Sequence, residues 1–296
     1  MLSIVTLFAV FGLVILGGVV RLTESGLGCP DWPLCHGQVI PPMNTDTLIE
    51  YSHRLMASVV GVLVVVTAFG IWRSYRRDPW LMAPACVAVL LLVVQVLLGG
   101  FTVLRELSGE MVMAHLATAE ALLAVLVVLS LAAMGRLGAF TGPPDRRLSL
   151  MAAAALVTAY AVLLTGSYVT VSGSTPACGT AWPLCGGGIL PGSHHAAMHM
   201  VHRVAGLVAA VLMAFTLVGA WRRRERDGWL GWLSLAVAAS FGIQIFVGAA
   251  IMFSSFDLAA RLAHLAVASL VWLGLSAVVV LLWAPREPRL RGAAVA

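Results

Sequence analysis

The chain has 296 residues, of which 60% are apolar and only 10% are charged, and its mean hydropathy is +0.98. A soluble domain has about 25% charged residues and roughly 45–50% apolar ones, so this composition excludes a soluble enzyme and a disordered chain. All 18 basic residues are arginine. In a membrane protein an excess of arginine marks topology, so it predicts no nucleic-acid partner.

Eight apolar stretches of about 19–24 residues follow one another along the chain, and each can cross a hydrocarbon core of roughly 30 Å as a helix. The first begins at the N-terminus without a basic leader, which favours a retained span over a cleaved signal peptide. The sequence therefore predicts an all-α integral membrane protein, surrounded by lipid, with spans at 2–20, 53–72, 81–104, 111–133, 148–170, 199–221, 229–252 and 262–284.

Most of the arginines fall in alternate connections, and this pattern predicts the orientation of the spans. By the positive-inside rule both termini are cytoplasmic, in a multi-pass protein of the plasma membrane. The five arginines on the outer side are Arg21, Arg54, Arg105, Arg203 and Arg261. Those on the cytoplasmic side are Arg73, Arg76, Arg77, Arg136, Arg146, Arg147, Arg222, Arg223, Arg224, Arg226, Arg286, Arg289 and Arg291.

Four of the five cysteines lie in two loops that are predicted to be outside, where an oxidising environment lets disulfides persist. Cys29 and Cys35 lie in the first outer loop, and Cys178 and Cys185 lie in the third outer loop. A disulfide within each loop is therefore favoured over free thiols, and over a cysteine-only metal site because the pairs lie in separate loops. Cys86 lies in the third span and is expected to be a buried, inert thiol.

The second half of the chain repeats the first. A Trp-Pro-Leu-Cys motif at 32–35 recurs at 182–185, and downstream of it the offset is constant at 149 residues. The sequence therefore predicts two tandem, pseudo-symmetric four-helix bundles, in halves 1–140 and 141–296, which are related by an axis along the membrane normal. The downstream matches are His53-Arg54 with His202-Arg203, Gln95 with Gln244, Gly99 with Gly248, and 114–117 with 263–266.

Four histidines, His53, His115, His202 and His264, open the second, fourth, sixth and eighth spans at one predicted depth. Within each half, two imidazoles on parallel helices can face each other across one haem, because imidazole is a good iron ligand and a helix bundle accommodates a haem. A lone histidine at this depth is more often an interfacial hydrogen-bonding residue, but four paired by a repeat favour iron ligands. Zinc is disfavoured because neither pair has further ligands, and the absence of C-x-x-C-H excludes covalent haem.

Arg54 and Arg203 directly follow the first histidine of each pair. A guanidinium at this place can pair with haem propionates at the outer surface. It can equally extend to the lipid headgroups. The sequence leaves both roles open.

The two halves differ at one charged position. Glu50 precedes His53 by three residues and shares its helix face, whereas the repeat position is His199. This difference suggests that chemistry takes place in the N-terminal half, although a glutamate near a helix N-terminus is also favoured by the macrodipole. Glu120 in the fourth span, whose repeat position is Ser269, is compatible with proton transfer or with a hydrogen bond inside the bundle.

These residues resemble the haem A synthase family over nearly the whole chain. The resemblance runs from the segment 17–23 to the segment 263–266, and the most specific matches are 25–29, 31–35 and Glu50-Tyr51-Ser52-His53-Arg54. The resemblance implies an oxidoreductase acting on a CH3 group. It would oxidise the C8 methyl group of haem O to a formyl group, with water as the expected oxygen source, and so provide haem A for cytochrome oxidase assembly.

The same resemblance implies a role for each candidate residue. His53 and His115 would bind the iron of the substrate haem, and His202 and His264 the iron of a haem B cofactor. Glu50 matches the family's essential carboxylate, and the cysteine pairs match the bacterial type with two disulfides. Haem O synthase is the expected donor of the substrate, and the electron acceptor is not identified.

Two other classes of function are compatible with the four histidines, namely a dihaem electron carrier of the b type and a haem transporter or chaperone. The electron carrier gives no reason for a carboxylate in only one half, whereas two outer haem sites would also serve a transporter or chaperone. Formation of haem A in a host that makes haem O but not haem A would distinguish the synthase from both.

Overall fold

The computed structural model describes residues 1–137, 145–186, 191–225 and 227–283. Each of the α-helices in these ranges is long and apolar enough to cross a membrane, which confirms the prediction of an all-helical, multi-pass membrane protein. The predicted boundary between the halves at 140/141 and the predicted cytoplasmic residues Arg226, Arg286, Arg289 and Arg291 lie outside the described residues. The eight helices in the described ranges are α1 (Leu2–Leu22), α2 (Thr45–Tyr75), α3 (Pro79–Leu104), α4 (Gly109–Ala133), α5 (Arg146–Val171), α6 (His194–Trp221), α7 (Gly228–Phe253) and α8 (Leu258–Trp283).

Helices α2 and α6 begin earlier than the apolar stretches predict, at 45 and 194 rather than at 53 and 199. The side chain of Asn44 accepts a hydrogen bond from the Thr47 N–H, and Ser193 caps α6 in the same way. Such caps start a helix within polar sequence, where hydropathy gives no signal. His53 and His202 therefore lie about two turns inside their helices rather than at the start.

Each group of four consecutive helices packs as a ring. In the first ring α1 and α3 each contact both α2 and α4, and in the second ring α5 and α7 each contact both α6 and α8. We call these groups the N-terminal ring (α1–α4) and the C-terminal ring (α5–α8). The helices that carry the candidate histidines, α2 with α4 and α6 with α8, are therefore diagonal partners across the centre of each ring.

The two rings meet through α4 and α8, which contact each other, while α4 also contacts α5 and α8 also contacts α1. Fully buried leucines such as Leu123, Leu126 and Leu275 fill this central contact. Large apolar side chains elsewhere point outward, as expected for surfaces that face lipid, and Phe246 is 77% exposed. Cys86 is also exposed, so the prediction of a buried thiol was wrong, because hydropathy within a span does not distinguish lipid-facing from core positions.

Two ion pairs join the connections at the end of the bundle opposite the cysteine loops. Arg136 donates to both carboxylate oxygens of Asp227, at 2.8 and 2.7 Å, and Arg223 donates to Asp145 at 2.6 Å. Hydrogen bonds from the Leu148 N–H and from Arg223 lower the pKa of the Asp145 carboxyl. These arginines therefore make specific contacts within the protein.

Candidate functional site

Both predicted disulfides are present, between Cys29 and Cys35 and between Cys178 and Cys185. All four cysteines are buried. The two disulfide loops lie at the same end of the bundle, which we call the cysteine side, and each loop leads into the first histidine-bearing helix of its ring.

Arg54 connects the first disulfide loop to the buried carboxylate. Its terminal nitrogens donate to the carbonyls of Cys29, Asp31 and Leu34, at 2.9, 2.7 and 2.7 Å. Its Nε donates to Oε1 of Glu50 at 2.8 Å. The guanidinium is thus held by the protein itself, and it fixes Glu50 relative to the loop.

Arg203 has a similar contact in the C-terminal ring. It donates to the carbonyls of Ala181 and Pro183, at 3.0 and 2.9 Å, and contacts the sulfur of Met252 at 3.5 Å. Within the described ranges it has no carboxylate partner like that of Arg54, because His199 occupies the repeat position of Glu50. Sequence reasoning missed this role, since carbonyl acceptors in a loop leave no signal in residue type.

Asp31 stabilises the first disulfide loop from within. Its carboxylate accepts hydrogen bonds from the backbone N–H of Gly37 at 2.8 Å and of His36 at 2.6 Å. These donors hold the pKa of Asp31 below its ordinary value of 3.8. A lowered pKa means that this contribution to stability is present at neutral pH and is lost only as the pH falls through the folded-state pKa.

Glu50 lies in the second turn of α2, on the face that it shares with His53 one turn later. The residue is only 5% exposed, although it carries an ionisable group. Arg54 is the one hydrogen-bond donor to its carboxylate among the described residues, and it contacts Oε1 alone. The carboxylate is therefore oriented by a cation and keeps Oε2 for another interaction.

Each of the four candidate histidines lies against a glycine of the preceding helix. A Cβ atom at Gly17, Gly99, Gly166 or Gly248 would lie 2.9–3.2 Å from Cε1 of the facing imidazole. Glycine permits this approach because it has no side chain. Sequence analysis noted only that Gly99 matches Gly248, but Gly17 and Gly166 are also 149 residues apart, so the repeat contained the signal. The pairs are Gly17 with His53, Gly99 with His115, Gly166 with His202, and Gly248 with His264.

In the C-terminal ring the two imidazoles face each other across the bundle. The ring centres of His202 and His264 are 6.4 Å apart and the ring planes are inclined by 75°. Two imidazoles that bind one ion from opposite sides, with bonds of about 2.0–2.1 Å, have ring centres about 6.4 Å apart. The separation therefore fits a shared metal ion.

Several buried polar atoms around these imidazoles have no hydrogen-bond partner among the described residues. They include Nδ1 of His53, His115 and His264, and the side-chain carbonyls of Gln95 and Gln244. The amide nitrogens of these two glutamines lie 3.2 Å from Nε2 of His115 and His264, respectively. An unsatisfied buried polar group costs about 1–3 kcal/mol, so both rings contain atoms that a bound group could satisfy. The role of Gln95 and Gln244 was not predicted.

Glu120 lies in the contact between the two rings rather than beside the histidines. Its Oε1 accepts a hydrogen bond from Ser269 at 2.5 Å, and its backbone carbonyl accepts one from the indole of Trp272 at 2.8 Å. The residue is 1% exposed, and Oε2 has no hydrogen-bond partner in the part of the chain that the structure describes. Of the two roles that the sequence left open, the hydrogen bond inside the bundle is therefore present.

Comparison with known proteins gives one consistent result. The family model COX15-CtaA, described as cytochrome oxidase assembly protein, matches residues 1–276. A protein of Alkalihalophilus pseudofirmus named heme A synthase is 29% identical over 96% of this chain and 97% of its own length. Proteins of the same name from Halalkalibacterium halodurans and Bacillus licheniformis are 31% and 29% identical, over 90% and 89% of this chain and 91% and 89% of their own lengths. The chain therefore belongs to the COX15-CtaA family of cytochrome oxidase assembly proteins and is similar to heme A synthases over nearly its whole length.

Proposed function

We propose that this chain oxidises the C8 methyl group of haem O to a formyl group and so forms haem A. The name of its relatives supports the conversion, because they are similar to this chain over nine-tenths of its length. The observation that carries the proposal is the buried Glu50–Arg54 pair beside His53. Burial of an ionisable pair in a membrane span costs free energy, so such a pair is a candidate for a functional site.

The N-terminal half (1–140) binds the substrate haem O through His53 and His115, and the C-terminal half (141–296) binds haem B through His202 and His264. The separation of 6.4 Å between the imidazoles of the second pair supports this assignment. The unpartnered ring nitrogens support it for both pairs. A bound haem supplies the iron and the conjugated ring through which electrons leave the substrate.

Conversion of a methyl group and one water molecule into a formyl group releases four electrons and four protons. The electrons pass to an acceptor outside the chain, and the protons need a base beside the reacting edge. Glu50 meets this need, because its Oε1 is held by Arg54 while Oε2 is able to accept a proton. The carboxylate and its arginine thus orient and move protons, and His53 and His115 fix the position of the ring.

Arg54 and Arg203 contribute to haem binding by positioning. Their guanidinium groups are held by loop carbonyls in both rings, so they keep the disulfide loops against α2 and α6. The loops then close the cysteine side of each haem site and limit the access of water. A two-point contact with a propionate would require Arg54 to leave at least one of its present acceptors.

We place the chain in the plasma membrane, with the cysteine side outward. The disulfides support this placement because they need an oxidising compartment. The described arginine-rich connections support it as well, since they lie at the opposite end. Haem O is a membrane-borne porphyrin, so a membrane-embedded haem O synthase is the donor that fits this site.

The proposal is tested by expression of the full chain in a host that makes haem O but not haem A. Acid–acetone extracts of the membranes, separated by chromatography, are expected to contain haem A only when the chain is present. Purified chain that contains haem B alone, in membranes without haem A, would instead identify an electron carrier or a haem transporter.

The glycine contacts predict a second result. Gly248→Val should displace the imidazole of His264, because even a Cβ at this position lies 3.0 Å from Cε1. Most of the tightly bound haem B is expected to be lost, as measured by the pyridine haemochrome assay on purified protein. Gly242→Val is the matched control in the same helix, since a Cβ there meets nothing within 4 Å. Equal haem content in the two variants would contradict this geometry.

A further inference from the structure

Two arginines lie side by side where the N-terminal ring meets the C-terminal ring on the cysteine side. Gly18 of α1 packs directly against Leu262 and Leu265 of α8. Arg21 follows Gly18 by three residues, and Arg261 immediately precedes Leu262. Because α1 and α8 run in opposite directions, both arginines lie about one turn beyond this contact, towards the cysteine side.

Neither arginine has a partner for its charge. Within the described ranges, the side chains of Arg21 and Arg261 make no hydrogen bond and no ion pair, and Nε of Arg21 is buried without a partner. The nearby acidic residue, Glu24, is exposed and forms no ion pair with either. Partly buried guanidinium groups without counter-ions are costly, so this place favours a bound anion.

The repeat shows that the fold does not itself require these charges. The contact between α4 and α5 corresponds to that between α8 and α1. At the positions that match Arg21 and Arg261 it has Thr170 and Val112. The equivalent helix contact thus forms without a cation, and the two arginines are particular to one of the two contacts.

Both arginines are also close in sequence to a histidine site. Arg21 lies one turn beyond Gly17, against which the imidazole of His53 packs. Arg261 lies one turn before His264 in the same helix. The pair is therefore placed between the two histidine sites, on the side that the proposed orientation directs to the aqueous surface.

We propose that Arg21 and Arg261 bind the propionate carboxylates of the haems, Arg21 at the N-terminal site and Arg261 at the C-terminal site. The inference rests on the proposed function for the position of the haems. Guanidinium groups pair with carboxylates through two parallel hydrogen bonds, which Arg54 cannot offer while its Nε holds Glu50 and its terminal nitrogens hold loop carbonyls. The phosphate of a lipid headgroup has similar anion chemistry and is the competing source.

The test compares haem B with its dimethyl ester, in which both propionate charges are removed. The full-length chain, stripped of haem and held in neutral detergent, is titrated with each compound and followed by Soret absorbance. We expect the unmodified chain to bind the free acid at least tenfold more tightly than the ester. Arg21→Gln and Arg261→Gln should each lower this ratio, because each removes one of the two propionate sites, and the double variant should bring it towards one. Arg105→Gln, which changes an exposed arginine on the same side, should keep the ratio.

The outcomes separate this inference from the proposed function. If both glutamine variants bind haem with the ratio of the unmodified chain, the propionate site is wrong and the proposed function stands. If the unmodified chain binds no haem, the proposed haem sites fail first. A variant effect that appears only in vesicles containing phosphatidylglycerol, with an unchanged ratio in detergent, would assign the arginines to lipid phosphate and overturn the inference.

A second pair of variants tests the same proposal if the glutamine variants do not fold. Arg21→Lys and Arg261→Lys keep the charge but lose the forked geometry of the guanidinium. Their ratio of acid to ester affinity should lie between one and that of the unmodified chain. A ratio equal to that of the unmodified chain in both lysine variants would also contradict the proposal.

Discussion

Glu50→Gln is expected to reduce haem A formation by at least about 100-fold, because a positioned general base contributes about 10²–10⁴-fold to a reaction of this kind. The amide has nearly the shape of the carboxylate and still offers an oxygen to Nε of Arg54, so the loop contact should persist. It cannot take up a proton at neutral pH. The measurement is the ratio of haem A to haem O in membranes of the haem O-producing host.

Haem binding provides the control for this variant. The haem content of purified Glu50→Gln should equal that of the unmodified chain, because neither imidazole is altered. Glu110→Gln, which changes an exposed carboxylate at the start of α4, should leave haem A formation intact. Normal haem A formation by Glu50→Gln would remove Glu50 from the mechanism.

Loss of either histidine of the C-terminal ring is expected to abolish tight binding of haem B. His202→Ala and His264→Ala each remove one of two imidazoles whose ring centres lie 6.4 Å apart, so the iron would keep a single ligand. Reduced-minus-oxidised spectra of the purified variants should lack the signal of a haem with two histidine ligands. The effect on haem A formation should follow, because electrons would no longer leave through this site.

His195→Ala is the matched control for these variants. His195 belongs to the same helix as His202, but it is exposed, and within the described part of the chain its imidazole hydrogen-bonds only to the hydroxyl of Ser174, at 2.9 Å. Its replacement should leave the haem spectrum unchanged. An unaltered spectrum in His202→Ala, by contrast, would show that haem B is bound elsewhere.

The features that could be predicted from sequence are those determined by local composition. Spans follow from runs of apolar residues about as long as the membrane is thick, and the disulfides follow from cysteine pairs in two short loops. The start of α2 was placed too late for the same reason. A cap such as Asn44 begins the helix in polar sequence, and hydropathy does not detect the part of a helix that lies before its apolar residues.

The features that could not be predicted depend on how helices and loops meet. The sequence left open whether Arg54 contacts a haem propionate or a lipid headgroup. In the structure its Nη1 donates to backbone carbonyls of a loop about 20 residues away, and backbone acceptors of this kind cannot be recognised from residue type. Arg21 and Arg261 are 240 positions apart. The sequence placed both among the arginines of the outer side but gave no sign that they are neighbours. The role of Gly17 and Gly166 was missed because glycine is common in membrane helices. Only the position of the facing imidazole shows that a side chain would not fit there.

The hydrogen bond between Glu120 and Ser269 has a consequence for the ancestry of the chain. These residues occupy the same position in the two copies of the repeat and meet where α4 contacts α8. Two identical, separately encoded units would bring either two carboxyl groups or two hydroxyl groups together at this point. Gene fusion removes that constraint, since each copy can then mutate alone. The donor–acceptor pair is thus a difference that a homodimer of identical units could not have carried.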